Sequence, residues 1–91
     1  MQIKWTSKAL ADLSRLHAFL APVNQRAAAA VFEKLSAAPD TLVAQPRLGR
    51  SLPEFEPRDV RRLIVGDYEM RYELAAQEIW ILRLWHTRED R

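Results

Sequence analysis

Apolar and polar positions along the chain change rhythm several times, and each change marks an element. In "QIKW" (2–5), Ile3 and Trp5 alternate with Gln2 and Lys4. A period of two predicts a short strand. From Ser7 to about Leu20 the rhythm becomes helical: Leu10, Leu13, Leu16 and Leu20 form the expected inner stripe, with Lys8, Asp12 and Arg15 elsewhere on the surface. Thr6 has the hydroxyl of an N-cap. Trp5 and Leu10 stand at the spacing of a hydrophobic staple around it. Pro22 ends this helix, and Asn24 is placed to cap the next, expected from about Gln25 to Ala38. There, "RAAAAVFEKLSAAPD" is rich in strong helix formers. Ala28, Val31 or Phe32, and Leu35 supply its inner stripe. Two amphipathic helices joined this closely predict an antiparallel hairpin. Pro39 and Pro46 bracket a stretch with room for a short helical turn around Leu42 and Val43.

"PRLGRSLPEFEP" (46–57) reads as loop, with three prolines and one glycine. Three strands are expected after it. "DVRRLIVG" (59–66) is β-branched and apolar. "YEMRYEL" (68–74) sets Tyr68, Met70, Tyr72 and Leu74 on one face and Glu69, Arg71 and Glu73 on the other. "EIWILRLWHT" (78–87) is apolar on both faces, the mark of a central strand. Gly66-Asp67 and Ala76-Gln77 supply two hairpin turns. The order β-α-α-β-β-β predicts an α+β fold: a mainly antiparallel sheet, a helix hairpin across one face, and the first strand added at the sheet edge. Residues 1–91 are expected to form one domain.

Composition narrows the chemistry. The chain has 48% hydrophobic and 29% charged residues, which suits a globular chain and not a disordered one. It has no cysteine, which excludes a disulfide framework and a cysteine zinc site. No apolar run reaches the roughly 18 residues of a membrane span, and no secretory pattern opens the chain. A cytoplasmic protein is the expectation. Two glycines leave no phosphate-cradling loop, and no nucleophile elbow is present. The only histidines, His17 and His86, are far apart in sequence, and no metal or other cofactor is expected. His17, on the inner flank of the first helix, reads as structural.

The arginines say more. The net charge is only +2, but Lys4, Lys8 and Lys34 are the only lysines, and nine arginines follow residue 45 together with nine acidic residues. Arginine grips phosphate or carboxylate in two places. Strand pairing could bring Arg62, Arg71 and the C-terminal basic group onto one sheet surface, where they could hold RNA phosphates and stabilise charge developing during phosphodiester cleavage. The plainer alternative has Glu69, Glu73 and Asp59 neutralise them on a solvated face. Arg83, inside an apolar run, needs a partner, with Glu69 or Glu73 as candidates, or a groove open to water. His86 and Arg88 share a side if the strand persists. His86 there fits either a general acid or base or a structural contact at the sheet edge, and the residues alone favour the latter.

Four pieces in order carry a family resemblance: "W-T-x-x-A-x-x-D-L" (Trp5, Thr6, Ala9, Asp12, Leu13), "P-x-x-G-R" (Pro46, Gly49, Arg50), "G-x-Y-x-x-x-Y" (Gly66, Tyr68, Tyr72) and "I-L-R-x-x-H-x-R" (Ile81, Leu82, Arg83, His86, Arg88). Together they resemble the RelE/ParE superfamily of type II toxin–antitoxin toxins over almost the whole chain. The resemblance implies a cognate antitoxin as partner, and one of two targets. A ParE-like toxin poisons DNA gyrase without catalysis of its own, and here Arg83, His86, Arg88 and Arg91 would face the target. A RelE-like toxin cuts mRNA on the ribosome, and here Arg71, His86 and Arg88 would be the catalytic set. Whether the chain is an enzyme depends on that choice, and an inactive family member is a third outcome. Glu69 stands where the RelE branch usually carries an arginine and the ParE branch also a basic residue, and Thr87 stands where a RelE tyrosine could follow. The ending looks most like ParE-type members.

Overall fold

The computed structural model describes residues 1–90. Its elements are β1 (Gln2–Trp5), α1 (Ser7–Leu20), α2 (Gln25–Ala37), α3 (Pro39–Ala44), β2 (Arg50–Ser51), a 3-10 turn at Pro53–Phe55, β3 (Asp59–Val65), β4 (Tyr68–Ala75) and β5 (Glu78–His86). The strands form one sheet in the order β1-β5-β4-β3-β2. β3, β4 and β5 are an antiparallel meander, and β1 joins β5 in parallel. The α+β expectation holds, as does the placement of the first strand at an edge. The short turn around Leu42 and Val43 is α3. The expected loop at 46–57 also holds two small ordered pieces, β2 and the 3-10 turn.

Local chemistry sets the boundaries. Thr6 Oγ1 accepts the Ala9 N–H at 3.0 Å and starts α1, and the Asn24 side chain takes the Ala27 N–H at 3.0 Å and starts α2. The hairpin turns differ in backbone. Gly66 has φ +62°, while Ala76 and Gln77 adopt φ +48° and +67° in succession, the left-handed pair that a tight two-residue hairpin requires.

Leu13, Leu16, Leu35, Leu42, Met70, Tyr72, Ile79, Ile81 and Leu84 fill the space between helices and sheet. Two details of the expected stripes are corrected. Leu10 is 51% exposed, whereas Ala9 and Asp12 are buried, so the inner face of α1 is turned toward the free edge of β5. On α2, Val31 and not Phe32 packs against the core.

Central β5 contains an irregularity that decides where its arginine goes. Arg83 pairs with Arg71, but the next register pair is Ile81 with Tyr72, so Leu82 is an extra residue. A bulge of this kind reverses the alternation beyond it. Ile79 and Ile81 face the helices before it, and Leu84 does so after it. Without the bulge, Arg83 and Trp85 would point into the core.

Candidate functional site

Arg62, Arg71 and Arg83 are register partners across three neighbouring strands. Their row crosses the face of the sheet opposite the helices. The Arg71 guanidinium is held between two aromatic rings, 5.1 Å from the Phe55 centroid and 4.7 Å from that of Trp85. Arg83 lies 5.0 Å from the other ring neighbour it shares, Trp85. Cation and ring thus alternate in a row: Phe55, Arg71, Trp85, Arg83. Phe55 reaches Arg71 from the 3-10 turn, which explains why a proline-rich loop carries a large aromatic residue. Stacking of this type stabilises partly desolvated guanidinium. The Arg71 Nε is buried without a hydrogen-bond partner.

Each acidic residue of this face meets an arginine, as the plainer alternative expects, but one of them does so buried. Glu69 is only 3% exposed, and its carboxylate lies 3.6 Å from Arg62. Glu73 instead takes a two-point contact from Arg58, at 2.7 and 3.1 Å. Asp59 holds Arg61 at 2.9 Å. Arg71 is flanked by Phe55 and Trp85 rather than by the two glutamates, and with Arg83 and Trp85 it lines an open cleft of about 580 Å³.

Arg83 finds its partner on α1, and not in Glu69 or Glu73. Its Nε donates to Asp12 Oδ2 at 2.7 Å and its Nη2 to Oδ1 at 3.2 Å. The bulge at Leu82 keeps Arg83 out of the core, and its guanidinium meets Asp12 where β5 has no β1 residue beside it. Asp12 Oδ2 also accepts the Leu84 N–H at 2.9 Å, and Arg15 donates to Oδ1 at 3.2 Å. Burial pushes the Asp12 carboxyl up, but hydrogen bonds from Arg83, Leu84 and Arg15 outweigh it and hold the group below its ordinary value.

His86 belongs to a different place. Its β4 partner is Tyr68, and the two rings meet edge to face with centroids 5.2 Å apart. Tyr68 and Arg71 are three positions apart on one strand, so their side chains leave opposite faces. The candidate catalytic set is therefore not assembled: His86 and Arg88 meet, and Arg71 lies across the sheet from them. The His86 Nδ1 accepts the Arg88 N–H at 3.1 Å. With Arg15, Leu16, Phe19 and Tyr68, both line an open, mostly apolar cleft of about 500 Å³. Glu89 closes its end, accepting the His86 N–H at 3.0 Å and pairing with Arg15. Burial and the nearby Asp67 charge raise the pKa of the Tyr68 hydroxyl. Of the expected target-facing group, Arg83 and His86 lie near the C-terminal end of β5 on opposite faces, Arg88 follows in the turn after it, and Arg91 is outside the described residues.

His17 makes an edge-to-face contact with Phe32 at 6.0 Å, joining α1 to α2. Sequence reasoning missed Asp12 and Phe55. Only the "D-L" of the opening motif hinted at the first, and an aromatic residue among prolines was the available signal for the second.

Comparison with known proteins places the fold. The family model for the ParE toxin of type II toxin–antitoxin systems matches residues 3–91. The chain belongs to the ParE toxin family. It is 32% identical to Toxin RelE2 of Caulobacter vibrioides over 86 residues, 94% of each chain. It is likewise 32% identical to Toxin RelE1 of the same organism over 84 residues, covering 92% of this chain and 90% of that one. A solved structure from the chromosomal ParDE system of P. aeruginosa superposes with a TM-score of 0.78 at 25% identity, covering 94% and 95% of the two chains. The protein is thus a type II toxin, and such a family implies an antitoxin partner. Among its described residues no helix is long and apolar enough to cross a membrane.

Proposed function

We propose that this toxin stops growth by docking on DNA gyrase and trapping it on cleaved DNA, without chemistry of its own, and that its cognate antitoxin prevents the docking. The observation that carries this reading is the separation of Arg71 from His86. Phosphodiester cleavage needs a phosphate clamp and a proton-transferring group within hydrogen-bond reach of one reacting centre. Here the clamp candidate is stacked between Phe55 and Trp85 on one face, and the imidazole packs on Tyr68 on the other. Glu69 adds a buried carboxylate beside the arginine row, where it opposes an incoming phosphate. His86 and Arg88, which line one cleft with Arg15 and Tyr68, then form the surface for protein recognition, with Arg83 behind them holding Asp12 and the end of β5 in place.

A second reading, ribosome-dependent mRNA cleavage, draws support from the in-register row Arg62, Arg71, Arg83 and from relatives named as RelE toxins. One experiment separates the two. Purified toxin is incubated with gyrase, ATP and supercoiled plasmid, and the DNA is examined after denaturation and proteolysis. Linear DNA that accumulates with toxin is the expected result. A folded, growth-inhibiting toxin that traps no linear DNA overturns the gyrase reading. Assays of mRNA cleavage on translating ribosomes would then follow, with Arg71 and His86 substituted separately.

A further inference from the structure

Past the end of β1, side chains take the outward hydrogen bonds of β5. Thr6 Oγ1 donates to the Leu82 carbonyl at 3.0 Å, and the buried Asp12 takes the Leu84 N–H at 2.9 Å. The last closure is of another kind. Glu89 follows the strand and is only partly buried. Its Oε1 takes the His86 N–H at 3.0 Å, and its Oε2 takes Arg15 Nη1. Arg15 Nη2 is engaged separately, by Asp12 Oδ1 and by the Leu84 carbonyl, both at 3.2 Å. Half of the guanidinium is thus anchored in the fold. The other half joins the His86 N–H as a two-donor seat for a carboxylate, a charge-assisted and therefore strong arrangement.

This seat stands at the end of the apolar cleft. Leu16, Phe19 and Leu20 form one wall, on the same side of α1 as Arg15, and the Tyr68 and His86 rings form the other. Phe19 is 79% exposed, so much of its ring is left to be covered. Arg88 adds a second cation to the lining, against the single carboxylate of Glu89. The cleft, at about 500 Å³, has the size of a small-ligand site.

We propose that the cleft binds a small organic acid with an alkyl or aryl tail. Its carboxylate takes the seat that Glu89 fills, on Arg15 Nη1 and the His86 N–H, and its tail lies between Leu16, Phe19, Leu20 and Tyr68. Glu89 is the site's internal occupant. The Glu89 N–H donates to the His86 carbonyl at 2.9 Å, so the turn does not depend on the carboxylate, and rotation of the side chain clears the seat. Two arginines then border an apolar floor. A monoanion with an apolar tail matches both features, whereas inorganic phosphate lacks the tail and a hydrocarbon lacks the charge. A strand from another protein is refused, because the Leu84 N–H and carbonyl beside the seat are already taken. The site holds whichever target the toxin acts on. Since His86 and Arg88 also belong to the surface proposed for recognition, an acid in the cleft competes with that target.

The test is a titration of the purified, folded toxin with octanoate, phenylpropionate and octanamide, followed through backbone amide resonances. Both acids should shift the His86 amide saturably and leave that of Leu84 in place. Octanoate should bind about tenfold more tightly than octanamide, which lacks the charge. Glu89→Ala removes an intramolecular competitor and should bind octanoate roughly tenfold more tightly than the wild type, a gain that misfolding does not produce. Phe19→Ser, a change at an exposed position, should weaken both acids and leave the melting temperature unchanged. The site is overturned if neither the wild type nor a folded Glu89→Ala variant binds either acid, if octanamide binds as well as octanoate, or if the acids bind without moving the His86 amide. It is likewise overturned if gyrase or the antitoxin protects His86 and Phe19 while the acids do not bind, which makes the cleft a protein-binding surface only.

Discussion

Asp12 and Arg83 lie 71 residues apart in sequence and meet in a two-point ion pair, at 2.7 and 3.2 Å. The pair joins the first helix to the last strand at the place where β5 has lost its neighbour. Because the same carboxylate accepts the Leu84 N–H, it stands in for the strand that β1 is too short to provide. Removing it leaves a buried amide and a guanidinium short of acceptors. Asp12→Ala is expected to cost about 2–4 kcal/mol, measured by urea unfolding at neutral pH.

The same residue sets part of the acid stability. Its folded pKa lies below the ordinary 3.8, so the folded state binds this proton less readily than the unfolded chain does. Its contribution is complete above the unfolded pKa and is lost as pH falls through the lower, folded value. Wild-type stability should therefore drop below about pH 4. Asp12→Asn should be less stable at neutral pH, and the difference between the two proteins should shrink in acid. A constant difference from pH 7 to pH 3 would contradict this account.

Tyr72 organises the far side of the sheet. It is fully buried, its hydroxyl donates to the Pro46 carbonyl at 2.7 Å, and it accepts the Gly49 N–H at 2.8 Å. Burial, partly offset by the Gly49 N–H, raises its pKa. Tyr72→Phe strands both loop groups and should cost about 1–3 kcal/mol. Gly49→Ala is expected to be at least as damaging, because a Cβ would stand 2.7 Å from both the Arg62 carbonyl and the Tyr72 ring. Thermal melts of the two variants decide the matter. If Gly49→Ala melts with the wild type, the close approach of loop and ring is not a constraint.

Thr6 links local and distant structure in one hydroxyl. It accepts from Ala9 as a helix cap and donates to the carbonyl of Leu82, the bulged residue. Thr6→Val keeps the shape and loses both bonds. It should lose about 1–2 kcal/mol, near the upper end for a cap, with Thr6→Ser retaining most of it.

The sequence carries the elements plainly where one rule operates at a time. The caps at Thr6 and Asn24, the alternation from Tyr68 to Leu74 and the helical leucines Leu13 and Leu16 are all local signals, and each element lies where its signal does. The candidate site was harder to read because its geometry depends on one extra residue. Nothing in "ILRLWH" marks Leu82 as a bulge, yet the bulge determines that Leu84 enters the core and that Arg83 and Trp85 stay out of it. Asp12 reads as a surface residue because its partners lie in the last strand. Glu69 reads as solvated because its burial depends on neighbours from two other strands.

The ladder of Phe55, Arg71, Trp85 and Arg83 offers a way to separate packing from recognition. Arg71→Met keeps the length of the side chain and removes its charge, and should lose about 0.5–2 kcal/mol from two stacked contacts. Trp85 is 6% exposed, so Trp85→Ala opens a cavity and should lose about 3–5 kcal/mol. A double-mutant cycle on Arg71 and Trp85 should show coupling, since each variant removes the other's partner. Growth inhibition per folded molecule then reports on function. If the stacked arginine serves the fold, Arg71→Met inhibits growth as the wild type does once expression is matched. A variant that folds with unchanged stability but no longer inhibits growth would place Arg71 in contact with an anionic target, and would return mRNA cleavage to first place.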